Sequence, residues 1–244
     1  MAPPLRAVFF DVDDTLYSTT AFANRARTAA MEAMVGLGGL RVTAEGLLAE
    51  LREVIAEFGP NFDSHYDRLL RRFTDEDLGG HSRSVLVAAG VAAYHDFKVR
   101  EFVPFPGVLE GLRALRGRTD LVLGVITEGL EVKQAEKLLR LGVYPFLDRR
   151  AIFISDVIGI SKPNAKLWLR ACSGVGVPPA EAMYVGDNPA KDVLPARSVG
   201  LRTVRMRAPG AKYASAPCAK APDHEVDGFA GLMDVLRRDY GVAV

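Results

Sequence analysis

Cysteine is scarce in this chain: Cys172 and Cys218 stand far apart and form no C-x-x-C pair. That excludes a disulfide framework and a thiolate zinc site and points to a reducing compartment. Long apolar runs are missing as well. No stretch approaches the roughly 20 residues needed to cross a bilayer, and acidic residues break the short apolar run near the N-terminus before it could form a secretion signal. A cytoplasmic protein is therefore expected. Nor is there an excess of one charge: 31 Lys and Arg against 30 Asp and Glu leave a net charge of +1, too little to draw nucleic acid or an anionic membrane to the surface. The local clusters Arg68, Arg71, Arg72 and Arg205, Arg207 are read as a solvated helix face and strand end. Of the few histidines, His65 and His95 fall on different predicted helices, so their spacing makes no metal pair.

What is present is the composition of an ordinary soluble protein, 49% hydrophobic and 25% charged over 244 residues, long enough to bury a large core in one domain or in a domain carrying a second. An opening strand at residues 8–10 is followed by a block, residues 20–100, with helical periodicity and almost no β-rich run. Helices are predicted at 21–34, 44–58 with Thr43 as N-cap, 66–73 and 85–99, with Gly59-Pro60 and Gly79-Gly80 at the turns. Four helices with short loops make a small bundle. From residue 103 strands and helices alternate, the signature of a parallel sheet. Strands are predicted at 121–126, 151–154, 182–185, 201–206 and 224–226, and helices at 108–116, 130–141, 165–173, 191–198 and 229–239. Pro195 shortens the fourth of these helices, and residues 208–222 read as a surface loop. The first strand has its natural partners only after residue 103, so a helical unit is inserted into an α/β domain.

The chemistry starts at Val8-Phe9-Phe10-Asp11-Val12-Asp13-Asp14-Thr15-Leu16. An apolar run ending abruptly in acids reads as a buried parallel strand delivering its charges to the carboxyl rim of a sheet, where open α/β folds bind ligands. Asp11 and Asp13, two apart on an extended chain, point to one side. Like charges so placed repel, and a divalent cation relieves them, Mg²⁺ suiting hard carboxylate oxygens; a calcium loop or a solvated acidic turn has the same pattern. Three further polar sites follow strands. Thr127-Glu128-Gly129 offers a hydroxyl and backbone N–H groups at the start of a helix, an anion site or a plain N-cap. Lys162 precedes Pro163, which can begin a helix, and Gly186-Asp187 through Asp192 brings two more carboxylates about one helical turn apart.

An acid pair, a hydroxyl, a lysine and a second acid pair at successive strand ends resemble the four motifs of the haloacid dehalogenase superfamily: Asp11-Val12-Asp13-Asp14-Thr15, Thr127, Lys162, and Gly186-Asp187 through Asp192. The resemblance spans essentially the whole chain, which looks most like the archaeal magnesium-dependent phosphatases of the helical-cap subfamily I. One position departs: glycine commonly stands where this chain has Asp14. The resemblance implies an α/β fold with a Rossmann-like, doubly wound parallel sheet core, residues 1–17 and 103–244, and an inserted four-helix-bundle cap domain, residues 18–102. The cap is expected to move on tethers near residues 17–20 and 101–105, stiffened by Pro104 and Pro106.

It also implies a Mg²⁺-dependent phosphatase acting through an aspartyl-phosphate. Asp11 is the expected nucleophile, already ionised at neutral pH, and Asp13 the acid and then base. The metal set is Asp11, the backbone carbonyl of Asp13, and Asp187. Thr127, the N–H groups of Glu128 and Gly129, and Lys162 are expected to bind phosphoryl oxygens, with Asp192 positioning Lys162 or a metal-bound water. The expected partner is a small phosphorylated substrate, with nucleic acid and membrane not expected and a homodimer left open. Three other readings share parts of the pattern. A 2-haloacid dehalogenase works without the metal and lacks the second aspartate of the first motif. A phosphomutase keeps every catalytic residue. A receiver domain of a signalling relay has an acidic pair, Thr, Lys and a phospho-acceptor that Ser155-Asp156 could mimic, but has no place for the insert. The substrate itself is not legible; Asn61, His65, Tyr66, His95 and Lys98 are polar residues of the insert that could meet it.

Overall fold

A computed structural model describes residues 4–244 of the chain. In chain order the elements are β1 (Ala7–Phe10), α1 (Thr19–Val35), α2 (Ala44–Phe58), α3 (His65–Leu70), α4 (Arg83–Glu101), α5 (Val108–Arg118), β2 (Val122–Thr127), α6 (Glu131–Arg140), β3 (Ile152–Ile154), α7 (Ser155–Ile158), α8 (Lys166–Val175), β4 (Ala182–Gly186), α9 (Leu194–Ser198), β5 (Arg202–Met206), β6 (His224–Val226) and α10 (Phe229–Tyr240). They fall into two compact units, one joining the chain up to Thr20 with Val103–Val244, the other Ala21–Phe102. Among the described residues no helix is long and apolar enough to cross a membrane.

The first unit is an α/β layer structure on a six-stranded sheet of order β3-β2-β1-β4-β5-β6, parallel throughout. All four residues of β1 are buried, as a strand covered by helices on both faces must be. Its side chains alternate between two cores. Phe9 packs with Ile126, Trp168 and Tyr184 under α8, and the Trp168 ring meets Tyr184 edge-on at 5.4 Å. Phe10 turns the other way and stacks on Phe229 of α10, ring centroids 5.9 Å apart. The chain adds β2 and β3 on one side of β1, then crosses over to add β4, β5 and β6 on the other. The crevice between the carboxyl ends of β1 and β4 is therefore the topological switch point, where open sheets bind ligands. Phe10 pairs with Val185, so Asp11 and Gly186-Asp187 leave the sheet at nearly the same level.

The second unit is helical. Its core holds Ala30, Met31 and Met34 of α1, Leu47, Leu51 and Val54 of α2, Leu69 and Leu70 of α3, and Leu86 of α4, the three- and four-residue spacing of helices burying one stripe. Thr43 caps α2 as expected, accepting from the Gly46 N–H at 3.1 Å. At Gly90 the Met34 methyl of α1 packs close to the backbone of α4, 2.3 Å from where a Cβ would stand. His65 is spent internally, its ring nitrogen 2.8 Å from the Gly59 carbonyl.

Two expectations need correcting. Residues 191–198 do not form one helix: Pro189–Val193 is a single π turn and the α-helix starts at Leu194, which puts Pro195 in the first turn, where its missing N–H costs nothing. Arg205 is not a solvated strand end. It is buried, paired with Glu225 at 3.1 Å, and donates to the Tyr213 and Ala216 carbonyls at 2.8 and 2.6 Å, fastening the 208–222 loop to β5.

Gly124, mid-β2, is the tightest point beside β1, since a Cβ would meet the Ala151 carbonyl at 2.5 Å and the Phe9 ring at 2.9 Å. Gly124→Ala should destabilise the protein by about 1–3 kcal/mol, read as a lower urea midpoint with unchanged slope; an unchanged midpoint would show that β1 and β3 can part at no cost.

Candidate active site

Asp11 follows directly on β1, its N–H continuing the ladder to the Val185 carbonyl at 2.8 Å. Its Oδ1 accepts from Lys162 Nζ at 2.5 Å, and Thr15 Oγ1 lies 3.5 Å from its Oδ2. Lys162 also donates to Asp192 Oδ1 at 2.7 Å and the Tyr184 hydroxyl at 2.6 Å, all in buried surroundings. Tyr184 is tied in turn to the Ile126 carbonyl at 2.9 Å, so the lysine is seated on β4 and β2 together. The expectation that a helix start fixes Lys162 fails: α8 begins only at Lys166, and carboxylates and a phenol hold the ammonium instead.

The π turn places Asp192. Asn188 opens it, its side chain accepting from the Ala190 and Lys191 N–H groups and its carbonyl from the Asp192 N–H at 2.9 Å. The wider turn brings the Asp192 carboxylate back over Gly186, where a Cβ would stand 2.7 Å from it. Asp192 Oδ2 then accepts from the Asn188 N–H at 3.0 Å. The Gly186-Asp187 signal thus has a steric reason.

Asp11, Asp187 and Asp192 offer carboxylate oxygens within 4.8 Å of one another, all buried, a set that could hold a metal ion. The Asp13 carboxylate is not in it; the ligand expected from that residue is its backbone carbonyl, which a set of side-chain oxygens does not include. β1 stops at Phe10 and Asp14 has φ 56°, so the alternation of an extended strand does not reach Asp13, and its carboxylate turns to α6. There Lys137 Nζ meets both oxygens at 2.6 and 2.7 Å and Gln134 Nε2 donates at 3.1 Å, while Tyr17 and Thr19 hydroxyls donate at 2.8 and 2.6 Å. The left-handed backbone at Asp14 also explains its sequence departure. Glycine is at ease there, and aspartate is among the few other residues that tolerate it, here fixed by the Thr20 hydroxyl and N–H at 2.9 and 3.2 Å.

Charge decides what the acid cluster can do. Three buried carboxylates face one ammonium, leaving two negative charges in low dielectric. Burial, then Asp11 and Asp192, push the Asp187 carboxyl up to about 9. Burial and the neighbouring acids outweigh Lys162 and raise Asp11 to about 7, so the nucleophile expected to be fully ionised at neutral pH is only partly so in the protein alone. Burial opposes the charge on Lys162 too, but Asp11 and Asp192 outweigh it and keep the ammonium protonated. Asp13 shows the opposite balance to Asp11: burial pushes it up, yet Lys137 and the hydrogen bonds hold it below the usual carboxylate range. Asp187 Oδ2 is buried with no hydrogen-bond partner. An orphaned carboxylate oxygen beside an excess of two negative charges fits a divalent cation with a preference for hard oxygen ligands.

At the end of β2 Thr127 is fully buried, its hydroxyl 3.3 Å from Gln134 Oε1. Of the two N–H groups expected to bind phosphate, that of Gly129 goes to Ser155 Oγ at 3.0 Å, and further on the Glu131 N–H goes to Asp156 Oδ2, also at 3.0 Å. Ser155 and Asp156 thus cap the start of α6. The Glu128 side chain accepts from Lys191 Nζ at 2.7 Å and Ser161 Oγ at 2.9 Å.

A family model described as haloacid dehalogenase-like hydrolase matches residues 5–200. The chain belongs to the haloacid dehalogenase-like hydrolases. It is 42% identical over 237 residues to a glyceraldehyde 3-phosphate phosphatase of Methanopyrus kandleri, covering 96% of this chain and 97% of that one. Among solved structures it is similar to a 2-haloacid dehalogenase from Pseudomonas syringae, with a TM-score of 0.60 at 26% identity, covering 96% of this chain and 99% of the other. A putative β-phosphoglucomutase from Thermotoga maritima reaches a TM-score of 0.67 over 96% and 99% of the two chains, at 17% identity, a likeness of fold alone.

Sequence reasoning missed Tyr184, Gln134 and Lys137. The first sits inside a strand and reads as core; the other two lie on a charged helix where Lys and Gln are unremarkable, and their only signal is the seven- and ten-residue distance from Thr127, legible once α6 is known to start beside it.

The charge excess predicts how this hydrolase responds to pH. With carboxyls at about 7 and 9 on Asp11 and Asp187, the folded protein keeps protons that the unfolded chain, titrating near 4, has released. Folding is then favoured at low pH and weakened as pH rises through that window. Melting in chelator should fall as pH rises from about 4 to about 9, with millimolar Mg²⁺ restoring most of the loss at the upper end; calorimetry showing a flat or rising profile in chelator would contradict the charge count.

Proposed function

We propose that the chain is a Mg²⁺-dependent phosphomonoesterase that works through an aspartyl-phosphate on Asp11 and acts on a small phosphorylated metabolite of about triose phosphate size. The observation that carries this reading is the buried Asp11 carboxylate, held by Lys162 beside the unpartnered Oδ2 of Asp187. The substrate class is supported by the relative from Methanopyrus kandleri, whose name specifies glyceraldehyde 3-phosphate. Mg²⁺ held by Asp11 and Asp187 would supply the neutralising charge that lets an anionic nucleophile meet an anionic ester.

The chain's own residues divide the remaining work. An Asp11 oxygen attacks phosphorus as the bond from phosphorus to the departing alkoxide breaks, splitting one hard displacement into two easier ones. Lys162 and the Thr127 hydroxyl offer donors to the phosphoryl oxygens as charge builds on them. Asp13 takes the proton of a singly protonated ester and passes it to the alkoxide. In the second half water attacks phosphorus, Asp13 accepts its proton and hands it to the departing phosphate, the bond between Asp11 and phosphorus breaks, and inorganic phosphate leaves with both aspartates restored. Asp192 and Tyr184 keep Lys162 in place throughout. Choice of the group beyond the phosphate falls to the helical unit Ala21–Phe102 in the role of cap.

Phosphate release from glyceraldehyde 3-phosphate and a panel of phosphorylated sugars and acids, with Mg²⁺ and with chelator, tests the reading. Turnover should require the metal, and Asp11→Asn should lower it by roughly a thousandfold or more while the melting curve keeps its shape. Full activity in chelator removes the metal, and an active Asp11→Asn removes the nucleophile. Isomerised phosphoester in place of free phosphate makes the enzyme a mutase, and halide release from a 2-haloacid without phosphatase activity makes it a dehalogenase.

A further inference from the structure

The Asp13 carboxylate is held far more tightly than its neighbours in the loop. Oδ1 accepts from Tyr17, Thr19 and Lys137, and Oδ2 from Gln134 and Lys137. Lys137 alone meets both oxygens, at 2.6 and 2.7 Å, and its side chain is only 18% exposed. An exposed ion pair of this kind contributes little because both side chains roam. Here the ammonium lies 5.9 Å from the centre of the Tyr17 ring, and the same turn of α6 presents Gln134, which also binds Thr127 Oγ1 and the Glu128 carbonyl. The helix that starts beside Thr127 therefore fixes the plane of the Asp13 carboxylate. A side chain with two rotatable bonds and a repelling Asp11 two residues away would otherwise sweep a wide arc.

We propose that Lys137 is the positioning residue for Asp13, and that its two contacts set the carboxylate as the proton acceptor for the water that hydrolyses the aspartyl-phosphate. This rests on the function proposed above. Both oxygens are turned to donors, which fixes where the carboxylate sits, and the hydrolytic half-reaction is where that position against the attacking water is needed. With a leaving group that departs without a proton, such as nitrophenolate, loss of Lys137 should then slow dephosphorylation and spare phosphorylation. When the second of two covalent steps becomes slower, kcat and KM fall together and kcat/KM, which reports the first, stays put.

The experiment compares wild type with Lys137→Met and Lys137→Arg, using Mg²⁺ and p-nitrophenyl phosphate, whose release marks the first step. Lys137→Met should lose roughly ten- to a hundredfold in kcat with kcat/KM within about threefold of wild type, and should show a pre-steady-state burst of nitrophenolate approaching one per site. Lys137→Arg, which keeps the charge, should recover most of kcat. If Lys137→Met does not fold, Lys137→Gln is read in its place. Unchanged kcat, or equal losses in kcat and kcat/KM with no burst, overturns the proposal while leaving the phosphatase reading intact. A wild-type enzyme that forms no covalent phosphoenzyme at all overturns the aspartyl-phosphate reading, and this proposal with it.

Discussion

Negative charge buried in excess of positive charge, at the point where β1 and β4 leave the sheet, is the constraint on which the other features depend. An isolated buried carboxylate costs several kcal/mol even after the protein relaxes, and here Asp11, Asp187 and Asp192 share a single buried lysine. The fold accepts that cost where a parallel sheet can best support it. Strands buried on both faces give the site a stiff floor, and Lys162 is fixed by three partners, Asp11, Asp192 and Tyr184. What the side chains leave unbalanced is filled by protons when the protein is alone and is suited to a divalent cation.

The same constraint gives two carboxylates only two residues apart opposite surroundings. Asp11 sits among other acids and is raised; Asp13 is surrounded by Lys137, Gln134, Tyr17 and Thr19 and is lowered. Environments that push neighbouring groups apart in this way are how one site runs both nucleophilic and proton-transfer chemistry. The break between them is local: β1 ends, the backbone at Asp14 turns left-handed, and the second carboxylate leaves the plane of the first.

Much of this was legible in the sequence. The strand run into Asp11, the helical block before residue 103 and the alternation after it led to the parallel sheet and the inserted helices, because apolar periodicity is a property of the chain itself. Asp11, Lys162, Asp187 and Asp192 were named and lie together: Asp11 and Asp187 follow directly on strands, Asp192 lies on the turn that leaves β4, and Lys162 reaches in from the loop after α7. What was not legible depends on geometry that spacing does not encode. The π turn at Pro189–Val193 and the capping of the start of α6 by Ser155 and Asp156 are choices between turns of similar composition. Which way the Asp13 carboxylate turns depends on where β1 stops, which the run of residues does not mark, and Lys137 carries no mark in a helix of six polar residues in ten.

The claim at the centre is that a divalent cation displaces protons from the buried acids. Titration calorimetry of the metal-free protein with Mg²⁺ near pH 7.5, repeated in buffers of different ionisation enthalpy, measures that displacement directly, because metal binding to protonated ligands releases protons. The account predicts one Mg²⁺ per chain with the release of about one proton, and loss of both the binding and the release in Asp187→Asn. Binding with no dependence on the buffer, or binding that survives Asp187→Asn unchanged, would place the cation elsewhere and contradict it.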